Sequence, residues 1–209
     1  MPDLQLQNQV FGIQNEEDFE KAALAVFRFQ AQHNLVYKQY LDLLKIDSST
    51  VTTSREIPFL PISFFKQFKV VCGEFTPDIV FTSSGTTASI NSHHYVKDEQ
   101  LYIISFLKCF RQFYGHESEY TFICLLPSYL EREGSSLIYM MDYLVKASSK
   151  TWSGFYPQIN DDFINVIHAL QKDKSQKVFF IGVTFALLDL AEKFPCDLNN
   201  FIIMETHRG

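Results

Sequence analysis

Beyond Val70 the chain alternates short, uninterrupted apolar runs with longer amphipathic stretches, and few architectures satisfy that alternation. The apolar runs cover residues 79–81, 120–126, 178–183 and 201–204. The stretches with helical spacing cover 98–113, 135–147, 163–171 and 185–194. A strand apolar on both sides must be buried on both faces, and the intervening helices supply the cover. The expected fold class is therefore α/β, a mostly parallel sheet flanked by helices. In such sheets ligands bind beyond the carboxyl ends of the strands. That directs attention to the loops at 82–91 and 127–134.

The N-terminal part has a different texture. Asn15-Glu16-Glu17-Asp18 reads as a helix start, an amide N-cap with acids in the first turn. Apolar residues near helical spacing continue to about Leu44, with a break at His33-Asn34. Pro58 and Pro61 then impose an extended connector before a short helix from about Ser63. The expected organisation is an N-terminal helical segment and connector over 1–70, then an α/β region over 71–209.

Composition narrows the function classes. With 46% hydrophobic and 20% charged residues, and 21 phenylalanines, the chain has the material for a substantial core. A formal charge of −6 and the lack of a basic stripe argue against a nucleic-acid partner. No apolar run is long enough for a membrane span. The four cysteines Cys72, Cys109, Cys124 and Cys196 form no C-x-x-C pair and read as reduced core thiols. The start MPDLQLQNQVFG has no signal-peptide pattern. These features together predict a cytoplasmic protein.

The segment with the most chemical content is Thr82-Ser83-Ser84-Gly85-Thr86-Thr87, which follows a strand-like run. Hydroxyls and backbone N–H groups around a glycine can wrap an anion. A Walker loop is excluded, because G-x-x-x-x-G-K-[ST] is absent; an ordinary solvated turn has the same composition. A second junction comprises Pro127, Ser128 and Tyr129, then Gly134 and Ser135 opening a helix whose N-terminus suits a carboxylate or phosphate. In that helix Tyr139, Met140, Met141 and Tyr143 suit either an acyl pocket or core packing. Ser63 and Lys66 match S-x-x-K, but the accompanying S-D-N and K-T-G strings are missing, so Ser63 is read as a cap and Lys66 as a solvated helix residue. His93 and His94 lack partners for a metal set, and no metal site is assigned.

Five strings, IPFLPISFFK, FTSSGTTASINSHHYVKD, LLPSYLEREGSSLIYMMDYLV, IGVTFALLDLAE and FIIMET, occur here in one order. In that order they resemble the acyl-protein synthetases of bacterial bioluminescence. Those enzymes belong to the adenylate-forming ligases, with the acyl-CoA synthetases and phenylacetate–CoA ligases. The resemblance implies that ATP, with Mg²⁺, activates a long-chain fatty acid as acyl-AMP, and that the acyl group then passes to a thiol acceptor. It further implies that Thr82, Ser83, Ser84, Gly85, Thr86 and Thr87 hold the ATP phosphates; the apolar content of the helix after Pro127, Ser128, Tyr129, Gly134 and Ser135 makes these five the residues expected beside the acid. Where the superfamily continues T-G-x-P-K, this chain has Ala88-Ser89-Ile90-Asn91 and no lysine before Lys97, so His94 becomes the nearest candidate cation. The superfamily's adenine segment, metal-holding glutamate and lid follow the string that ends here at Thr206. Residues 1–209 alone are accordingly expected not to complete the reaction, and no catalytic residue is assigned. The alternatives are a CoA ligase of the phenylacetate–CoA ligase type, and a truncated binding module without turnover.

Overall fold

A computed structural model describes residues 2–83, 91–127 and 134–206. The chain divides into two compact units, Met1–Pro77 with Ile90–Tyr95, and Asp78–Ser89 with Val96–Gly209. The connector after Val70 thus remains with the helical unit as far as Pro77.

The first unit contains helices α1 (Pro2–Phe11), α2 (Glu16–His33), α3 (Leu35–Leu44) and the single turn α4 (Phe64–Gln67). Helix α2 starts as its sequence requires, with Asn15 Oδ1 accepting the Asp18 N–H at 3.0 Å. The break before α3 falls on Asn34, which serves two helices. Its N–H donates to the Gln30 carbonyl at 2.9 Å to close α2, and its Oδ1 accepts the Tyr37 N–H at 3.1 Å to open α3. Phe27, Ala31, Tyr37, Leu41 and Val51 form the core of this unit. The Tyr37 hydroxyl donates to the Pro58 carbonyl at 2.8 Å and so ties the proline connector to that core. Helix α1 has no counterpart in the sequence reading. Ser63 precedes α4 without a side-chain capping bond, contrary to the expected cap, while Lys66 is exposed as expected.

Strands β1 (Ile79–Thr82) and β2 (His93–Val96) flank the hydroxyl-rich segment in sequence. Then follow α5 (Glu99–Tyr114), β3 (Tyr120–Leu125), α6 (Ser136–Ser148), β4 (Gly154–Phe155), α7 (Asp161–Lys172), β5 (Lys177–Val183), α8 (Thr184–Lys193) and β6 (Phe201–Thr206). The sheet is four-stranded and parallel in the order β4-β3-β5-β6. The α/β class is as expected, with one correction: β1 is not a strand of this sheet. Its apolar run is covered instead by α5 and α6, where Phe81 meets Tyr102 at 4.8 Å and Tyr139 at 5.6 Å between ring centroids.

Register determines which side chain faces which helix. Phe122 pairs with Phe179 and Ile123 with Phe180, and alternate residues of a strand point to opposite faces. On one face Phe110 of α5 packs against Phe122 at 5.6 Å and Phe179 at 5.5 Å. Tyr143 of α6 joins that layer through Phe106, at 5.5 Å. On the other face Phe163 of α7 approaches Phe180 at 6.2 Å. Leu187 of α8 fills the space beside Gly182, 2.6 Å from where a Cβ would sit. The chain leaves β3 toward β4 and leaves β5 toward β6, in opposite directions. Right-handed crossovers then place α6 and α8 on opposite faces, as the packing shows. The point where the connections diverge lies between the carboxyl ends of β3 and β5. Among the described residues no helix is long and apolar enough to cross a membrane.

Candidate functional site

Two of the segments singled out in the sequence converge in the second unit. Thr82 ends β1, and its N–H donates to the Gly134 carbonyl at 2.9 Å, immediately before α6. Gly134 has φ +79°, a backbone state that L side chains disfavour. A Cβ on it would stand 3.0 Å from Thr82 Oγ1 and 3.3 Å from the Val80 carbonyl oxygen. This position therefore requires glycine twice over, by its dihedral and by the close approach of β1. Ser135 follows as the N-cap of α6, its Oγ accepting the Ile138 N–H at 3.4 Å. Capping uses the oxygen and leaves the hydroxyl hydrogen to donate elsewhere.

The remaining predicted residues are distributed as follows. Thr82 and Ser83 are described, and Ser84, Gly85, Thr86 and Thr87 lie outside the described residues, as do Ser128 and Tyr129. Pro127 forms the turn after β3, at the divergence of the β3 and β5 connections. The loop after Thr82 leaves a strand outside the parallel sheet, so the carboxyl-edge rule reaches only the Pro127 loop. His94 belongs to the first unit and is exposed, whereas Thr82 and Gly134 belong to the second.

The α6 residues read as either acyl pocket or core prove to be mostly packed. Met141 is buried, and Tyr143 stacks edge-on with Phe106. The Tyr139 hydroxyl donates to the Glu99 carboxylate of α5. Burial, then that carboxylate, push the Tyr139 phenol well above its ordinary range, so it stays a donor at neutral pH. Core packing, not an open acyl surface, is what these side chains provide.

Sequence reasoning missed the second loop at the divergence. Gly182, Val183 and Thr184 leave β5 there, and the Thr184 hydroxyl donates to Glu205 near the end of β6. The signal was available in the order of strands, which a linear pattern does not reveal. The four cysteines are thiols, as expected, but only Cys124 is buried in the core, while Cys109 is exposed and Cys72 and Cys196 are half-buried. Burial pushes the Cys124 thiol up to about 12. His116 Nδ1 lies 2.8 Å from Ser118 Oγ.

For a nucleotide, the described part of the site presents the hydroxyls of Thr82 and Ser135, neutral groups of the kind that surround phosphates. Among the described residues no group of three or more His, Cys, Asp or Glu side chains is placed to hold a metal ion. A magnesium ion here would be carried chiefly by substrate phosphates and water, as that ion commonly is. Comparison with known protein families, with characterised proteins and with solved structures found no match for this chain.

Proposed function

We propose that the chain belongs to a cytoplasmic, adenylate-forming acid–thiol ligase of the acyl-protein synthetase type. The carboxylate of a long-chain fatty acid attacks the α-phosphorus of ATP. The bond to the β-phosphate breaks, releasing pyrophosphate and leaving acyl-AMP. A thiolate, from a protein cysteine or coenzyme A, then attacks the acyl carbonyl and AMP departs. In this reading the Thr82–Thr87 segment positions the β- and γ-phosphates through neutral donors, and Mg²⁺ shares their charge. The α6 start with Gly134 and Ser135 stands beside the acid.

One observation carries the reading: the segment that resembles a phosphate loop and the segment expected beside the acid meet through the Thr82 to Gly134 hydrogen bond. Two loops that must hold two reactants gain from such a tie, because orientation supplies much of the barrier reduction. The test is ATP–pyrophosphate exchange by the full-length gene product with a panel of acids from acetate to hexadecanoate and phenylacetate. Exchange that depends on the long-chain acids, and is lost in a folded Gly85→Val variant, supports the proposal. No exchange with any acid overturns it. Product analysis with coenzyme A or a protein thiol then identifies the acceptor.

A further inference from the structure

The first unit contains an apolar cavity of about 690 Å³, within the range that holds small-molecule ligands. Val10, Phe19, Ala23, Val26, Phe65 and Val71 are among its walls, and among the described residues the lining includes no aspartate, glutamate, lysine or arginine. Of the two readings the sequence allowed for the α6 side chains, core packing holds; the open apolar volume is here, between α2 and the proline connector.

Gln30, Asn34, Tyr37 and Cys72, polar side chains along the wall, are already engaged with protein. Gln30 Oε1 accepts from Asn34 Nδ2 at 3.0 Å and from Cys72 Sγ at 3.2 Å. Asn34 Oδ1 accepts the Tyr37 N–H, and the Tyr37 hydroxyl donates to Pro58. Among the described residues no buried side-chain nitrogen or oxygen is left without a hydrogen bond. A polar guest would find few partners in these walls, whereas an alkyl chain needs none. The rim differs from the walls. Phe59, 77% exposed, holds an aromatic face in water there, and His94 supplies an exposed imidazole. This is the arrangement for a molecule with a long apolar tail and one polar end.

We infer that this cavity holds the alkyl chain of a long-chain carboxylic acid, with the carboxylate at the rim that His94 borders. Binding here concerns the first unit by itself and is independent of the proposed function above, which places the activated carboxylate beside the start of α6. Each methylene buried strengthens binding about fourfold.

The experiment measures displacement of a fluorescent octadecatetraenoic acid from the 209-residue chain by unlabelled n-alkanoates of increasing length. The expected result is affinity rising about fourfold per carbon until the cavity is full. Ala23→Phe fills part of the volume and should weaken the longest acids at least tenfold, leaving the shortest nearly unchanged. Val26→Ala opens the wall and should move the optimum to longer acids, which keeps the test informative should Ala23→Phe not fold. An absence of displaceable binding, or length profiles unchanged in folded variants, overturns the inference. A dimer whose dissociation ignores added hexadecanoate also overturns it, by showing that a second copy covers the cavity. Pyrophosphate exchange separates the two claims: binding without exchange removes the ligase and keeps the cavity, and exchange without binding here does the reverse.

Discussion

Replacing Gly134 by alanine tests the junction of β1 with the start of α6. The residue sits at φ +79°, and an L side chain in the left-handed region costs about 1–2 kcal/mol. The new methyl would also stand 3.0 Å from Thr82 Oγ1 and 3.3 Å from the Val80 carbonyl oxygen. One contact is a side-chain atom that can yield and the other is backbone, so the crowding falls at the low end of overpacking, about 1 kcal/mol. The expected loss is about 2–3 kcal/mol, and at roughly 2–4 °C per kcal/mol for a chain of this size Tm should fall by about 4–12 °C. Urea unfolding monitored by circular dichroism measures the change directly. A second measurement separates the two causes. In a Thr82→Ala background the side-chain contact is gone and the dihedral strain remains, so the penalty should shrink by about 0.5–1 kcal/mol. A Gly134→Ala protein within about 0.5 kcal/mol of the parent would refute the argument from the dihedral. An identical penalty in both backgrounds would refute the contact with Thr82.

Glu117, its side chain only 6% exposed, accepts from Arg111 Nε at 2.8 Å and from Nη2 at 2.6 Å. These bonds hold its carboxyl below the ordinary value. A depressed folded pKa gives stability that is present above the unfolded value of about 4.3 and is lost as pH falls through the folded one. Arg111→Met should therefore cost about 3 kcal/mol at neutral pH, with the gap to the parent narrowing at and below about pH 4; a pH-independent gap in urea midpoints would count against this account. Thiol labelling follows exposure: iodoacetamide at pH ~8 should modify Cys109 in the native protein, while Cys124, its thiol pushed up to about 12, reacts only after unfolding. Equal rates by peptide mass spectrometry would contradict the burial of β3.

Much of the fold was written in local pattern. The runs at 120–126, 178–183 and 201–204 become β3, β5 and β6 because a continuous apolar strand has no stable place but between two helical layers. The helix starts at Asn15, Asp98 and Ser135 were legible because an N-cap is a transaction between residues two or three apart. The break at Asn34 was legible for the same reason. Other features had no local signature. The two-residue strand β4 is too short to show a period, and α1, with little apolar spacing, resembles a polar tail.

Tertiary structure alone decided the sheet membership of the apolar run at 79–81. Both a buried sheet strand and a strand beneath α5 and α6 need the same residues, and only the packing of Phe81 on Tyr102 and Tyr139 distinguishes them. It also decided that Gly134 answers to Thr82, because a positive φ and a short approach from β1 are properties of position, not of the glycine itself. The order β4-β3-β5-β6 placed the Pro127 and Thr184 connections on opposite courses, which no one-dimensional spacing encodes. Tertiary structure chose core packing for the α6 side chains that the sequence left open between core and acyl pocket, and the open apolar volume arose between α2 and a connector whose residues carry no periodic signal. Composition and period determine which residues leave water. Which of them close on one another, and which leave a space between, depends on contacts among residues far apart in the chain.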